Sequence, residues 1–169
     1  MTAFVALLRA VNVGGTGKLT MADLAALCES AGFESVRTYI ASGNVVFKSR
    51  KSEAQVKQLL ETRLAAHAGK PVGVLLRSAA EMTEIVAGNP FPKAPPNRTV
   101  AIFLDQAPRS DALGSISGRL DEELRIGRRE IYVYYPAGMG QSKLKIAAAK
   151  NGTARNMNTI AKLAEMAAV

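Results

Sequence analysis

One cysteine, one histidine and no tryptophan occur among the 169 residues, and aromatic residues make up only 5%. A single cysteine, Cys28, excludes an internal disulfide. It sits with Leu24, Ala25 and Leu27 in a helical pattern, which fits a small core residue. Nothing adjacent supplies the electropositive setting that a reactive thiol needs. The lone His67 has no cysteine or carboxylate cluster at metal-ligand spacing, so no metal site is expected. A Ser-His-Asp triad would have to use His67, and no nucleophile-elbow motif accompanies it. No cofactor is expected either. No run of about 18 apolar residues exists, so no membrane partner or span is expected. The run from Met1 to Arg9 is too short, and meets a charge too soon, for a secretory signal. The expected location is cytoplasmic.

What is present is a balanced globular composition, 48% hydrophobic and 21% charged. It fits one compact domain or two small ones sharing a core. A chain of this length buries a sizeable core without disulfide or metal. Basic residues number 22 against 14 acidic ones, a net charge of +8. That surplus favours an anionic partner: nucleic acid, a nucleotide or another phosphate. It also serves solubility. The basic residues fall in short clusters: Lys48, Arg50 and Lys51; Arg125, Arg128 and Arg129; Lys143, Lys145, Lys150 and Arg155.

Residues 3 to 9 predict a strand, followed by a glycine-rich loop from Asn12 to Lys18. Thr20 and Asp23 form a capping box that opens a helix, with Met21, Leu24, Ala25 and Cys28 on its apolar stripe. Gly32 closes it. Residues 35–40 and 44–48 predict two strands joined by the hairpin signal Ser42-Gly43. Ser52 and Gln55 form a second capping box, opening a helix that Gly69 ends. A strand follows over 72–77. The order βαββαβ is the split-βαβ, or ferredoxin-like, plan for residues 1–77.

Residues 78–169 predict a second, related αβαββα half packed with the first. A third capping box, Ser78 with Glu81, opens a helix running to about Ala87. The Pro-rich stretch 90–97 is a stiff linker. Strand 99–104, helix 108–120, a hairpin over 123–127 and 130–135, helix 142–149 and a last helix from about Met157 complete the pattern. The whole is α+β. Phe4 to Leu8, Val100 to Leu104 and Ile131 to Tyr135 are nearly continuous apolar runs. A sheet open to water on one face would alternate, so these strands are expected to be covered on both faces, most simply by the other half of the protein.

Three ordered motifs carry a family resemblance. Leu7-Leu8-Arg9-Ala10-Val11-Asn12-Val13-Gly14-Gly15, Met21-Ala22-Asp23-Leu24 and residues 36–47 from Val36 to Phe47 resemble an uncharacterised bacterial family, the one carrying domain of unknown function 1697. The stretch 152–159, Gly152 to Thr159, resembles its C-terminal motif. The resemblance implies a small α+β fold with ferredoxin-like halves and no known substrate, cofactor or catalytic residue. This chain departs from the family's pattern at Ala10, usually glycine, and at Met157, usually tryptophan.

The loop from Asn12 to Lys18 lies between a strand and a helix start, where backbone N–H groups and the helix dipole favour an anion. It is not a complete phosphate loop, since GxxxxGK[ST] requires glycine at 12 and Ser or Thr at 19, where Asn12 and Leu19 stand. A tight connection explains the same glycines. Ser42-Gly43-Asn44 reads as a turn, while Arg9, Arg37 and Tyr39 come from strands expected to be neighbours, and Arg9 needs either a structural pair or a ligand. Asn156 or Asn158 fits a helix N-cap, and Arg155 with Lys143 and Lys145 fits an anion-facing edge. Asp121-Glu122-Glu123 reads as a solvated face, and Asp105 as a turn residue. RNA recognition on the first and third strands is disfavoured, because only Phe4 and Phe47 are available there for stacking. The leading expectation is a module binding an anionic ligand, a nucleotide or nucleic acid, through Arg9, Asn12, Gly14, Gly15, Lys18, Arg37, Ser42, Asn44, Lys143, Arg155 and Asn156. The alternatives are an enzyme acting on a phosphorylated small molecule, for which no general base is evident, and a homodimeric scaffold built on the hairpin strand Ile131 to Tyr135.

Overall fold

The computed structural model describes residues 1–9, 19–40 and 43–169. In chain order it contains β1 (Thr2–Leu8), α1 (Met21–Ser30), β2 (Glu34–Thr38), β3 (Asn44–Ser49), α2 (Glu53–Ala68), β4 (Val74–Ser78), α3 (Ala79–Ala87), β5 (Thr99–Phe103), β6 (Ile116–Ser117), β7 (Glu123–Ile126), β8 (Glu130–Tyr134), β9 (Lys145–Ile146), β10 (Thr153–Asn156) and α4 (Met157–Ala167). The protein is α+β. It forms two compact units, one of residues 1–83 with 163–169 and one of residues 84–162.

In the first unit the strands run in the order β2-β3-β1-β4, every neighbour antiparallel. The helices start where local chemistry dictates. Thr20 and Ser52 each accept from the backbone three residues on, and Asp23 and Gln55 return the bond to the cap. Ser78 and Glu81 repeat the arrangement at α3. Such reciprocal caps satisfy N–H groups that a helix start leaves open. Phe4, Ala6 and Leu8 of β1, Val45 and Phe47 of β3, and Val74 and Leu76 of β4 form a core with Leu24 and Cys28 of α1 and Val56, Leu60 and Leu64 of α2. Phe33 stacks on Phe47 at 4.3 Å between ring centroids. The aromatic pair that could have stacked bases, Phe4 and Phe47, is therefore core.

Strand side chains alternate between faces. Val5 and Leu7 of β1, Val46 of β3 and Leu75 of β4 point away from the helices, yet all are buried. Both faces of this sheet are dry at its centre, as the unbroken apolar run in β1 requires.

The second unit repeats the order. Its main strands run β7-β8-β5-β10, again all antiparallel, so the strands appear in the sequence second, third, first, fourth across both sheets. The crossovers differ. Where the first unit has α1 and α2, the second has a 3₁₀ turn, Ala112–Ser115, followed by β6, and β9 followed by a 3₁₀ turn, Ala147–Ala149. These two crossovers pair with each other, Ile116 with Ile146 and Ser117 with Lys145. Leu113, Ile116, Leu144 and Ile146 pack on Val100, Ile102, Leu124, Ile131 and Val133.

The helices expected over 108–120 and 142–149 are thus replaced by β6, β9 and short turns, and β10, which no pattern announced, completes the sheet. Tertiary pairing overrides local helix preference in both places. Gly118 has φ +70, and a Cβ there would collide with the Lys143 carbonyl oxygen. Ser142 gives its hydroxyl to Glu122 across the same ribbon, not to a helix start. Ile131, Tyr132 and Val133 are buried, so the hairpin strand offers its apolar side chains to the core of the chain and not to a second copy.

Gly118→Ala is expected to destabilise strongly. The left-handed backbone alone costs a residue with a Cβ about 1–2 kcal/mol, and the carbonyl contact adds to it. Gly114 has an ordinary φ and nothing near its missing Cβ, so Gly114→Ala should change stability by less than about 0.5 kcal/mol. Urea midpoints of the two variants, measured together, check the contrast.

Candidate functional site

The polar residues singled out above do not share one element, and several lie at one end of the first sheet. β1 ends at Leu8, whose N–H donates to the Gly43 carbonyl, and the Arg9 N–H donates to the Gly73 carbonyl. The Arg9 side chain lies along Gly73, where a Cβ would stand 3.2 Å from Arg9 Cδ. Glycine at 73 lets this half-buried arginine lie flat. Asn44, fully buried, opens β3 opposite Leu7. Its side-chain amide donates to the Tyr39 carbonyl at 3.0 Å, and its own carbonyl accepts from the Tyr39 N–H. Asn44 thus clamps the turn that joins β2 to β3. Ile40, exposed within that turn, holds φ +56, a conformation that β-branched residues rarely adopt. Asn12, Gly14, Gly15, Lys18 and Ser42 lie outside the described residues.

Arg37 sits on β2 opposite Val46 and so faces away from the helices. Its Nε donates to the Ser35 carbonyl at 3.3 Å. On the same face are Lys48 and, on β4 opposite Val5, Arg77. Arg77 is 1% exposed, and its Nη1 donates to the Leu76 carbonyl at 2.8 Å. Sequence reasoning did not single it out, although a charge inside the run Val74-Leu-Leu-Arg-Ser78 was the available signal. Four cations, Arg9, Arg37, Lys48 and Arg77, therefore share the helix-free face of the first sheet.

The remaining candidates belong to the second unit. Lys143 is exposed, with its carbonyl against Gly118. Arg155 lies on β10 opposite Ala101 and donates from Nη1 to Thr153 Oγ1 at 2.8 Å and to the Ala154 carbonyl at 2.9 Å. Burial pulls its guanidinium down to about 10. Asn156 is the N-cap of α4, its Oδ1 accepting from the Thr159 N–H at 2.9 Å. That bond accounts for Asn156 without a ligand. Met157, the first residue of α4, is buried.

Two charged groups take roles that the sequence did not announce. Glu122 is not part of a solvated face: it is 3% exposed. Its carboxylate accepts from the Ser142 hydroxyl at 2.5 Å and from the Leu120 N–H at 2.7 Å. The Ser142 hydrogen bond, then the backbone ones, hold its pKa below the ordinary glutamate value. At the start of α1, the Asp23 carboxylate accepts from the Thr20 N–H, which lowers its pKa, and His67 lies 4.0 Å away. A carboxylate already placed at that helix start opposes a second anion there. Burial drives Cys28 up to about 12, so the thiol is inert core. Among the described residues no group of three or more His, Cys, Asp or Glu is placed to hold a metal, and no helix is long and apolar enough to cross a membrane.

These features define an α+β protein of two four-stranded sheets and a two-stranded ribbon, with Arg9, Arg37, Asn44 and Arg155 at strand ends or on edge strands. The chain belongs to the family described as "Protein of unknown function (DUF1697)", whose profile matches residues 1–132. The C-terminal motif at 152–159 lies beyond that match. Among solved structures, the chain is similar to the conserved bacterial protein SP0830 from Streptococcus pneumoniae, at 28% identity, over 98% of each chain, with a TM-score of 0.81. No curated protein matches.

Asn44→Ala leaves the half-buried Tyr39 carbonyl without the amide donor, and the expected loss is about 1–3 kcal/mol in urea unfolding. Asn44→Asp sets a carboxylate against that carbonyl. This variant should be the weaker of the two at neutral pH and recover stability as acid protonates it. For Glu122 the sign runs the other way. Its lowered pKa contributes stability above the unfolded value of 4.5, and that contribution is lost as pH falls through the folded value. Glu122→Gln should flatten this part of the acid response in urea midpoints compared between neutral and acidic pH.

Proposed function

We propose that the protein binds an anionic ligand, a nucleotide, a phosphorylated metabolite or nucleic acid, at the end of the first sheet where β1 finishes. The observation that carries this reading is the Arg9 side chain laid along Gly73, beside a turn clamped by the buried Asn44. A half-buried arginine fixed at a strand end is pre-organised for a phosphate, because its planar fork loses little freedom on binding. The glycine-rich stretch of residues 12–18 comes shortly after Arg9 in the sequence. Arg37 and Lys48 add charge at the rim of this face, and the net charge of +8 draws anions toward it. The reading takes both sheets as ferredoxin-like, the second a repeat of the first with shortened crossovers, in keeping with their shared strand order. A cytoplasmic location goes with such ligands.

Thermal-shift and calorimetric titrations with mononucleotides and with labelled single-stranded and duplex oligonucleotides test the proposal. Arg9→Ala is expected to weaken binding of the ligand found by roughly tenfold or more, the loss of one charge-assisted contact. Stabilisation by mononucleotides but not oligonucleotides would point to a small phosphorylated ligand, and turnover of a phosphate ester would then make the protein an enzyme. Retention of oligonucleotides that falls steeply with salt would point to nucleic acid. Absence of binding to every probe at low salt would end the proposal.

A further inference from the structure

Each of the two four-stranded sheets ends in two edge strands, β2 and β4 in the first, β10 and β7 in the second. An edge strand turns a row of unpaired N–H and C=O groups outward and is a template for another chain. All four edges carry an arginine folded onto a carbonyl of its own strand. Arg37 donates to Ser35 at 3.3 Å, Arg77 to Leu76 at 2.8 Å, Arg125 to Leu124 at 2.8 Å and Arg155 to Ala154 at 2.9 Å. In three of the four the acceptor is the residue immediately before the arginine.

On three of the four edges the accepting carbonyl is an outward one. On β4, Val74 faces outward, because its N–H donates to Glu61 and its carbonyl accepts from Lys57, both on α2. Leu76, two residues on, faces the same way. On β7 the Gly127 N–H turns inward to the Glu130 carbonyl, so Leu124, an odd number of residues away, turns outward. On β5 the bonds of Leu104 to Arg129 and of Arg98 to Tyr135 assign even residues to β8. Ala101 and Phe103 then meet Arg155 and Thr153, and Ala154 between them faces out. On β2 the register shifts between Glu34 and Arg37, and Ser35 holds φ +53 within that irregularity. A bulge of this kind bends an edge away from a partner.

From this we infer that Arg37, Arg125 and Arg155 close the β2, β7 and β10 edges against strand addition by a second copy of the chain, while α2 covers the β4 edge beside the buried Arg77. A guanidinium on an outward carbonyl occupies the acceptor an incoming strand needs, and sets a charge where its backbone would have to lie dry. Fixed geometry supports the assignment. Arg155 is held a second time by Thr153, and Arg125 lies over the Phe91 ring at 5.7 Å from its centroid. The inference does not depend on the anion site, whose carrying contact is Arg9, although Arg37 also adds charge at the rim of that site. It assigns Arg37 and Arg155, two of the residues first considered as ligand contacts, to the chain's own backbone.

The test compares the combined variant Arg37→Ala, Arg125→Ala, Arg155→Ala with the wild type and with a charge-matched control, Lys51→Ala, Lys70→Ala, Lys93→Ala, whose three lysines are exposed. Sedimentation velocity over about a hundredfold range of concentration reads association, infrared spectroscopy reads intermolecular β-structure, and circular dichroism reads folding. The arginine variant is expected to associate at roughly tenfold lower concentration than the other two, with new intermolecular β-structure. If it keeps the wild-type mass while folded, or if the lysine control associates equally, the inference is overturned. Should the combined variant not fold, Arg125→Ala is scored by the same criteria. Arg125→Gln then serves as its partner, keeping a donor for the Leu124 carbonyl, and should stay at the wild-type mass.

Discussion

The first sheet is dry on both faces at its centre, and that constraint shapes everything polar around it. Val5, Leu7, Val46 and Leu75 are buried on the face without helices, just as Phe4, Ala6 and Leu8 are buried beneath α1 and α2. A charge placed within such a sheet must find a partner or move to the boundary. The arginines did both. Arg77 stays inside and binds the Leu76 carbonyl, while Arg9, Arg37 and Lys48 lie half-buried at the ends and rim. The places left for ligand chemistry are therefore strand ends and edges, and most of the edge positions already serve the backbone.

The second sheet meets the same demand with different material. Its strand order matches the first, yet short ribbons cover the sheet where helices do in the first unit. The substitution works because β6 and β9 satisfy each other's backbone groups, and because Glu122 ties the ends of the two crossovers through Ser142. A buried carboxylate is tolerable here since three hydrogen bonds, from Ser142, Leu120 and its own backbone N–H, favour the charged form. The same topology thus survives a change of secondary structure in its connections, since the four main strands keep the same order and pairing in both sheets.

Among the ligand candidates, local duties explain some residues and leave others open. Asn156 caps α4 and Asn44 clamps a turn, so neither needs a ligand to justify its side chain. Arg9 is placed differently, its side chain laid along Gly73 where β1 finishes. That contrast is why the proposed site centres on Arg9 and not on the longer set of polar residues first considered.

The sequence by itself determined the elements whose signals are local. Three capping boxes opened three helices where Thr20, Ser52 and Ser78 stand, because a cap bonds only to residues three places away. Unbroken apolar runs in β1, β5 and β8 announced strands buried on both faces, and the family motifs announced the membership. Only the tertiary structure decided the rest. Residues 108–120 and 142–149 have helical composition but become ribbons, since their partner lies some thirty residues away and no local pattern encodes it. Glu122 looked solvated in a run of acids until Ser142 came to meet it. In the sequence Arg37 and Arg155 looked like ligand contacts, Arg125 like one of a short basic cluster, and Arg77 like an unremarked strand residue. Their shared position exists only once strand order makes β2, β4, β7 and β10 the edges, because an outward carbonyl is a property of a sheet and not of a sequence.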